Sequence, residues 1–309
     1  MISQSKSAVS YVFAKQAWYG LAGVWSFVRR WPVMPVVLLT LLIIAAVFAP
    51  LLAPKDPTKA NLRHRNAAPI WNSTWYEEHP DVNYRYILGA DYLGRDVLSR
   101  VIYGARVSLI VVSVATASSL IVGTTLGLTA GYFGGPVDET TMRIVDLWLG
   151  LPYVLIALVI VIIFGQSFTV LIALLALLAW PAFVRNVRAE ALSLRTRDYV
   201  ALARISGAST WRIIFRHILP GVMNTIIVLA TLRVGQLIMM EAILSFLGAG
   251  IPPPTPAWGL MVAEGREYLR DAWWIAFFPG VAIFLVVMSL NFLGDWIRDF
   301  ADPRLRQLR

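Results

Sequence analysis

Long stretches without a charged residue constrain this chain more than any other feature. They run from Trp31 to Pro54, from Val107 to Val137, from Leu147 to Val184 and from Ala272 to Gly294. A helix of about 20 mostly apolar residues is long enough to cross a bilayer. The composition agrees, because 58% of the residues are hydrophobic and only 15% are charged, against roughly 45–50% and about 25% in soluble domains. The chain is therefore predicted to fold in lipid.

These stretches predict an all-α membrane protein with six transmembrane helices, the first of which covers residues 32–54. The stretch that begins at Leu147 is too long for one span at about 1.5 Å per residue. Gly165 and the two polar residues after it divide that stretch into two spans. One further span is predicted from Pro220 to about Gly248, and it is the least apolar of the six because it contains ionisable residues.

The distribution of basic residues predicts how the spans are oriented. Four basic residues and no acidic residue precede the first span, and the loop 185–219 contains seven arginines against two acidic residues. By the positive-inside rule, both termini and this loop are cytoplasmic, and the loops 55–100 and 249–271 lie outside. The predicted divisions are a cytoplasmic or interfacial segment 1–31, the first span 32–54, an extracytoplasmic loop 55–100, a core of five helices 101–296 that includes the cytoplasmic loop at about 190–219, and a cytoplasmic tail 297–309.

Missing residue types exclude several kinds of chemistry. The chain has no cysteine, so disulfides, thiol catalysis and cysteine-bound metals are excluded. A P-loop needs Gly-Lys-Ser/Thr, and no lysine follows Lys59, so ATP is not bound by a P-loop of this chain. No catalytic residue, cofactor or nucleic-acid site is predicted. The polar cluster of Glu77, Glu78, His79 and Asp81 is interpreted as part of a solvated loop, with no metal site.

Gly123, Gly127 and Gly131 recur at every fourth residue of the second span. Small residues at this spacing form a ridge on one face of a helix, along which another helix approaches closely. The three glycines therefore predict a helix-packing face.

The loop 185–220 has the signals of two short helices. Asp198 and Ser209 are typical first residues of helices, and Gly207 between them is a typical helix end and turn. Pro220 suits the first turn of the next span. The pattern predicts a cytoplasmic helix–turn–helix that binds another protein. The apolar residues predicted to enter a groove of that partner are Tyr199, Val200, Ile205, Trp211 and Ile214.

The sequence RNVRAEALSLRTRDYVALARISGASTWRIIFRHILP resembles the EAA loop of ABC importer permeases, whose pattern is EAA, three residues, glycine, nine residues and I-x-L-P. It departs from that pattern at Ala201, where the family has glutamate, and at His217, where it has isoleucine. The resemblance implies that the loop couples the chain to ATPase subunits. The residues implied in this coupling are Tyr199, Ala201, Ala203, Arg204, Gly207, Ala208, Ser209, Arg212, Leu219 and Pro220.

Four more segments are similar, in the same order, to the C-type permease subunit of dipeptide, oligopeptide and nickel importers. They are LGADYLGRDVLSRVIYGARVSL at 88–109, GYFGGPVDETTMRIVDLWLGLP at 131–152, SFLGAGIPPPTPAWGLMVAEG at 245–265 and GDWIRDFADPRLR at 294–306. This resemblance implies the type I ABC importer permease fold and half of a pathway for peptides. A nickel or other metal chelate, or another peptide-like solute, is the alternative cargo.

The resemblance also implies a set of partners in a prokaryotic inner membrane. These are a homologous second permease, two ABC ATPase subunits that bind ATP and Mg, and an extracytoplasmic substrate-binding protein. The chain itself would be non-catalytic. A stand-alone channel or secondary transporter is the alternative of a different class, but the inverted repeat or paired broken helices typical of such transporters are absent from the sequence. An intramembrane enzyme would need a catalytic constellation within the spans, and the sequence has no HExxH or GxSxG motif.

Polar residues at membrane depth are functional hypotheses by default. Arg233, Gln236 and Glu241 lie within the fifth predicted span, and they either line the translocation path or pair with neighbouring helices. A further alternative for Glu241 is a solvated position near the outer interface. Arg143 and Asp146 lie one turn apart at the cytoplasmic end of the third span, and they are predicted to form a local ion pair.

Overall fold

The computed structural model describes residues 32–301, which form helices joined by turns and two isolated β-bridges without a β-strand. The predicted interfacial segment 1–31 and the end of the predicted tail, 302–309, lie outside these residues. The helices are α1 (Val33–Val47), α2 (Ala49–Leu52), α3 (Ser73–Glu78), α4 (Val97–Phe133), α5 (Gly135–Gly150), α6 (Tyr153–Phe164), α7 (Phe168–Leu194), α8 (Asp198–Ile205), α9 (Thr210–Ile213), α10 (Leu219–Phe246), α11 (Trp258–Gly265) and α12 (Trp274–Ala301).

Four of the described helices are long and apolar enough to cross a membrane, where six spans were predicted. They are α4, α7, the continuous helix Thr210–Phe246 and α12 without its last residue. The pair α5 and α6 makes a fifth span if it is counted as one helix bent by 86°. The remaining apolar helix, α1, has 15 residues, fewer than the roughly 20 that a straight span needs.

Several helix ends differ from the prediction. The helix of the second span starts at Val97, ten residues before the charge-free stretch, because the side chain of Asp96 caps it by accepting a hydrogen bond from the Ser99 backbone N–H. Pro152 follows the end of α5, and the chain bends there within the predicted third span. The last helix continues to Ala301, past the predicted start of the tail at 297.

The centre of the bundle is the close contact between α4 and α7. A Cβ atom placed on Gly123 would lie 2.4 Å from Phe183 Cβ, and one on Gly131 would lie 2.7 Å from Ala191 Cβ. Gly127 faces Val187 in the same way, with 2.8 Å between the two Cβ positions. The glycine ridge therefore faces α7, where it lets the two backbones approach.

The predicted outer loop 55–100 is a folded segment with its own small core. Tyr76 and Tyr86 are buried there among alanines and Val82. Tyr76 Oη donates a hydrogen bond of 2.6 Å to the backbone oxygen of Ala68. The ammonium of Lys55 lies 3.3 Å from the centre of the Tyr84 ring. These contacts hold the segment together as a cap on the bundle, connected to α4.

Candidate docking surface and membrane cavity

The loop between α7 and α10 has the local signals that the sequence predicted, shifted by a residue at one end. Arg197 is the N-cap of α8 and Asp198 is its first residue. Gly207 has a φ of +78°, the left-handed conformation that ends a helix at little cost for glycine. Ser209 caps α9 by accepting a hydrogen bond of 3.4 Å from the Arg212 backbone N–H.

The second helix of the loop does not stop before the next span. The α9 helix continues through a π-helical turn at Ile214–Ile218 into α10. The continuous helix therefore begins before the predicted start of the fifth span, although Pro220 lies in the first turn of α10 as predicted. Proline has no N–H and clashes with the carbonyl four residues earlier, which is Arg216. A π turn next to Pro220 changes this local hydrogen-bond pattern without ending the helix.

The five apolar residues predicted to enter a partner divide into two groups. Val200 and Ile214 are buried inside this chain, in a cluster that also contains Val187, so their assignment to a partner groove is wrong. Tyr199, Ile205 and Trp211 are exposed, Ile205 to 83%. With Leu202 and Phe215, which are also exposed, they form the group that we call the docking surface: Tyr199, Leu202, Ile205, Trp211 and Phe215.

The other residues implied in coupling surround this surface. Arg204 lies with its guanidinium carbon 5.9 Å from the centre of the Tyr132 ring, so it reaches the end of α4. The exposed members are Ala201, Arg204, Gly207, Ser209, Arg212 and Pro220, and the partly buried members are Ala203, Ala208 and Leu219.

Two arginines attach the loop to the preceding helices: Arg188 of α7, and Arg195, which directly follows α7. Arg195 Nη1 donates to the backbone oxygens of Gly131 and Tyr132, at 3.1 and 3.2 Å, and so satisfies two carbonyls at the end of α4. Arg188 pairs with Asp138 of α5.

A second arginine of α7, Arg185, pairs with Asp146 of α5. The predicted local pair of Arg143 and Asp146 is therefore wrong. Arg143 instead lies 3.6 Å from Glu139 on the exposed face of its own helix.

A cavity of about 390 Å³ between α1 and α12 is lined almost wholly by apolar side chains. Another, of about 360 Å³, lies at the bend between α5 and α6, where α7 and α10 close it. Arg233 and Gln236 line this second cavity with Trp148 and Tyr153. Arg233 Nη1 donates a hydrogen bond of 2.6 Å to Gln236 Oε1. Two of the three predicted polar residues of the fifth span are thus brought together at one cavity.

Glu241, the third of these residues, lies elsewhere on α10. Its side chain is fully buried, and its carboxylate accepts hydrogen bonds from Ser245 Oγ at 2.8 Å and from Ser108 Oγ at 3.4 Å. It therefore contacts α4, which corresponds to the predicted alternative of pairing with a neighbouring helix.

A buried ion network between the start of α4 and α11 was missed by the sequence analysis. Arg95 Nε lies 2.6 Å from Asp91 Oδ2, and Arg95 Nη2 lies 3.2 Å from Glu264 Oε2. Arg100 forms ion pairs with the same two carboxylates. Its Nη2 lies 2.9 Å from Glu264 Oε2, but the angle between the two groups does not make a hydrogen bond. Arg95 and Arg100 are 2% and 1% exposed. The signal was present, because charges of both signs lie next to the start of an apolar span.

The cluster interpreted as a solvated loop is exposed at Glu77, Glu78, His79 and Asp81. His79 Nδ1 lies 2.9 Å from the backbone oxygen of Trp75, and the two rings stack at 4.1 Å. No group of three histidine, cysteine, aspartate or glutamate side chains among residues 32–301 is arranged to hold a metal ion.

Two family profiles match the chain. The profile of the binding-protein-dependent transport system inner membrane component matches residues 123–307. The profile of the N-terminal transmembrane domain of oligopeptide transport permease C matches residues 33–69. Together they include α1, α2, the end of α4 from residue 123 and every later helix.

Similar proteins include two transport system permease proteins. The di/tripeptide transport system permease protein DppC of Pseudomonas aeruginosa is 40% identical over 266 residues, which are 86% of each chain. The glutathione transport system permease protein GsiD of Pectobacterium atrosepticum is 43% identical over 219 residues, 71% of this chain and 73% of that protein.

Among solved structures, an inward-facing form of the MetNI methionine ABC transporter is similar in fold. The TM-score is 0.54 at 20% sequence identity, over 66% of this chain and 96% of that chain.

Proposed function

The chain belongs to the family of inner membrane components of binding-protein-dependent transport systems, and from this membership we propose that it is a permease subunit of an ATP-driven importer of dipeptides or oligopeptides. The observation that carries the proposal is the similarity to a di/tripeptide permease along 86% of the chain. A glutathione permease is similar as well. Glutathione is itself a short peptide, which favours a peptide over a metal chelate as cargo.

The proposed assembly has this chain and a homologous second permease side by side in a prokaryotic inner membrane. Two ABC ATPase subunits bind ATP and Mg on the cytoplasmic side, and a substrate-binding protein delivers the peptide from outside. The chain itself is non-catalytic and binds no cofactor. Its termini are cytoplasmic, and six spans result if α1 and α2 together count as the first and the bent pair of α5 and α6 as the third.

We assign the contact with an ATPase subunit to the docking surface. Its side chains are apolar and exposed on helices that carry arginines, as expected of a patch that enters a groove with a charged rim. Because α9 continues into α10, a movement at Trp211 is carried into the membrane by one helix. Through this helix, the closure of the ATPase subunits on ATP shifts the permease between two arrangements of its spans.

We assign the translocation path to the side of α10 that carries Arg233 and Gln236. They support this assignment because a cation and an amide at membrane depth are costly unless they face a cavity or a partner. Glu241 is not part of this group, because it is enclosed against Ser108 of α4.

Affinity purification of this chain from its native membrane, followed by mass spectrometry, tests the proposal. We expect to recover a second permease and ATPase subunits. The variant Ile205→Glu places a charge on the docking surface at a side chain that is 83% exposed, so the fold of this chain is unaffected. We expect it to retain the second permease and to lose most of the ATPase.

The matched control is Leu62→Glu, at a side chain that is 70% exposed in the outer segment. This variant should retain both kinds of subunit. Recovery of the chain alone, in a detergent that preserves other complexes, would contradict the importer. Recovery of the ATPase with both variants would contradict the docking surface while leaving the importer in place.

A further inference from the structure

The cavity lined by Arg233 lies near the middle of the membrane-spanning part of the chain. Arg233 is the fifteenth of the 28 residues of α10, and Leu178 and Ala179, which line the same cavity, lie near the middle of α7. At about 1.5 Å per residue, Arg233 is roughly 20 Å from Leu219 and from Phe246, the two ends of α10. The bend of 86° between α5 and α6 lies at this cavity, because Leu151 and Pro152 are among its lining residues.

The polar groups around the cavity are mostly hydrogen-bond donors. The guanidinium of Arg233 has a hydrogen bond to Gln236, and within residues 32–301 no carboxylate forms an ion pair with it. The indole nitrogen of Trp148 is buried and has no hydrogen-bond partner. Buried donors are satisfied in most proteins, so an unsatisfied donor on a residue that lines the same cavity as Arg233 calls for an acceptor.

Apart from the hydroxyl of Tyr153, the remaining lining is apolar, and it contains no acidic side chain. The nearest acid along the same helix is Glu241, eight residues on, which corresponds to about 12 Å. Its two carboxylate oxygens are bonded to Ser108 and Ser245. Within residues 32–301, no acidic side chain therefore balances the charge of Arg233, which is available to a group that enters the cavity.

We propose that the cavity at the α5–α6 bend is a subsite for the carboxylate of the solute in transit, bound by the Arg233 guanidinium with the Trp148 indole N–H. For the peptide importer proposed above, on which this inference rests, the group is the C-terminal carboxylate of the peptide. A guanidinium and an N–H donor suit a carboxylate because charged hydrogen bonds are stronger than neutral ones. The volume of about 360 Å³ is at the lower end of small-molecule sites, which suits the end of a small peptide.

The absence of cysteine from this chain allows a direct test of the electrostatics. Met240 lines the cavity one turn from Gln236, and Met240→Cys places a single thiol there. In the assembled complex, this thiol is modified with an anionic sulfonatoethyl and a cationic trimethylammonioethyl methanethiosulfonate. The rate at which each reagent modifies this thiol is divided by the rate at which the same reagent reacts with free 2-mercaptoethanol. The ratio of the two normalised rates cancels any change in the ionisation of the thiol.

We expect the anionic reagent to be favoured by about tenfold or more, because a nearby positive charge in a low-dielectric cleft raises the local concentration of anions. In the Arg233→Gln background the ratio should fall toward one. The matched control is Arg216→Gln, which removes an exposed positive charge outside the cavity and should leave the ratio unchanged. A ratio near one with Arg233 present, a high ratio without it, or no modification at all would each overturn the subsite.

Protection tests the class of ligand. Alanylalanine at millimolar concentration should slow the anionic reagent at Met240→Cys, and alanylalanine amide should not. Equal protection by both, or by neither, would overturn the carboxylate assignment. The complex used is first shown to hydrolyse ATP and to transport. A failure there would contradict the importer, whereas a transporting complex without charge selectivity at Met240→Cys would contradict the subsite alone.

Discussion

At the scale of single residues, His64 is a buried titratable group in the folded segment 55–100. His64 is 7% exposed, and its Nδ1 lies 2.8 Å from Tyr86 Oη. Burial lowers the pKa of His64, Lys55 and Arg63 lower it further, and Asp81 raises it. Burial also raises the pKa of Tyr86 to about 12, so this hydroxyl stays protonated. His64 is therefore neutral in the folded segment near neutral pH.

The lowered pKa of His64 predicts a loss of stability in acid. Unfolded His64 binds a proton near pH 6.5, whereas folded His64 binds it only at lower pH. The contribution of neutral His64 to the stability of the folded state is therefore complete above about pH 6.5 and falls as the pH drops below that value. We expect hydrogen-exchange protection of residues 62–90 to decrease between pH 7.5 and 5.5, after correction for intrinsic rates. In His64→Gln the decrease should be smaller. Burial raises the pKa of Asp96, but Asp96 is common to both proteins and cancels in the comparison. An equal decrease in both would refute the assignment.

At the scale of elements, the contact of α4 with α7 depends on three glycines. A methyl group on Gly123 would lie 2.4 Å from Phe183 Cβ and 2.7 Å from the backbone oxygen of Trp180. These neighbours belong to the helix backbone and its first side-chain atoms, which cannot rotate away. The two helices would have to separate locally, and the contacts along the ridge would weaken together.

We therefore predict that Gly123→Ala destabilises the chain by about 1–3 kcal/mol, the usual cost of overpacking a core. The control is Gly280→Ala in α12, where an added Cβ meets nothing within 4 Å. Alanine is the better helix former, so this variant should be neutral or stabilising by up to about 1 kcal/mol. Thermal unfolding of both purified proteins in one detergent measures the difference. If Gly123→Ala unfolded no earlier than Gly280→Ala, the close packing would be wrong.

At the scale of the whole molecule, the buried ion network joins parts that are far apart in the chain. Its members are Asp91, Arg95, Arg100 and Glu264. Arg95 precedes α4, and Glu264 lies in α11, 169 residues later. Tyr92 Oη also donates to Glu264 at 3.1 Å, and the Tyr92 ring stacks on Tyr268. Asp91 and Glu264 balance the charges of the two buried arginines. The network therefore fixes the residues at the start of α4 to α11.

Removing one member leaves a buried charge without its partner, which costs about 3–5 kcal/mol. We predict a loss of this size for Glu264→Ala, seen as a lower midpoint of thermal unfolding. Glu267→Ala, one turn away at an exposed side chain, should stay within about 0.5 kcal/mol of the wild type. Equal midpoints for the two variants would mean that the network contributes nothing to stability.

The sequence by itself determined the helical class, most of the spans, the turn at Gly207 and the family. Hydrophobic length, charge bias and turn chemistry act locally along the chain, so they are visible without coordinates. The glycine ridge was visible for the same reason, because its period is a property of one helix.

Only the tertiary structure decided which side chains meet. It turned Val200 inward and Ile205 outward on one short helix, paired Asp146 with Arg185 instead of Arg143, and placed Ser108 against Glu241. It also bent the third span at Pro152. The physical reason is that a contact between distant residues depends on how helices pack and tilt, and that arrangement is a sum over many weak interactions. A charge in the sequence shows that a partner is needed, and only the fold shows which one it has.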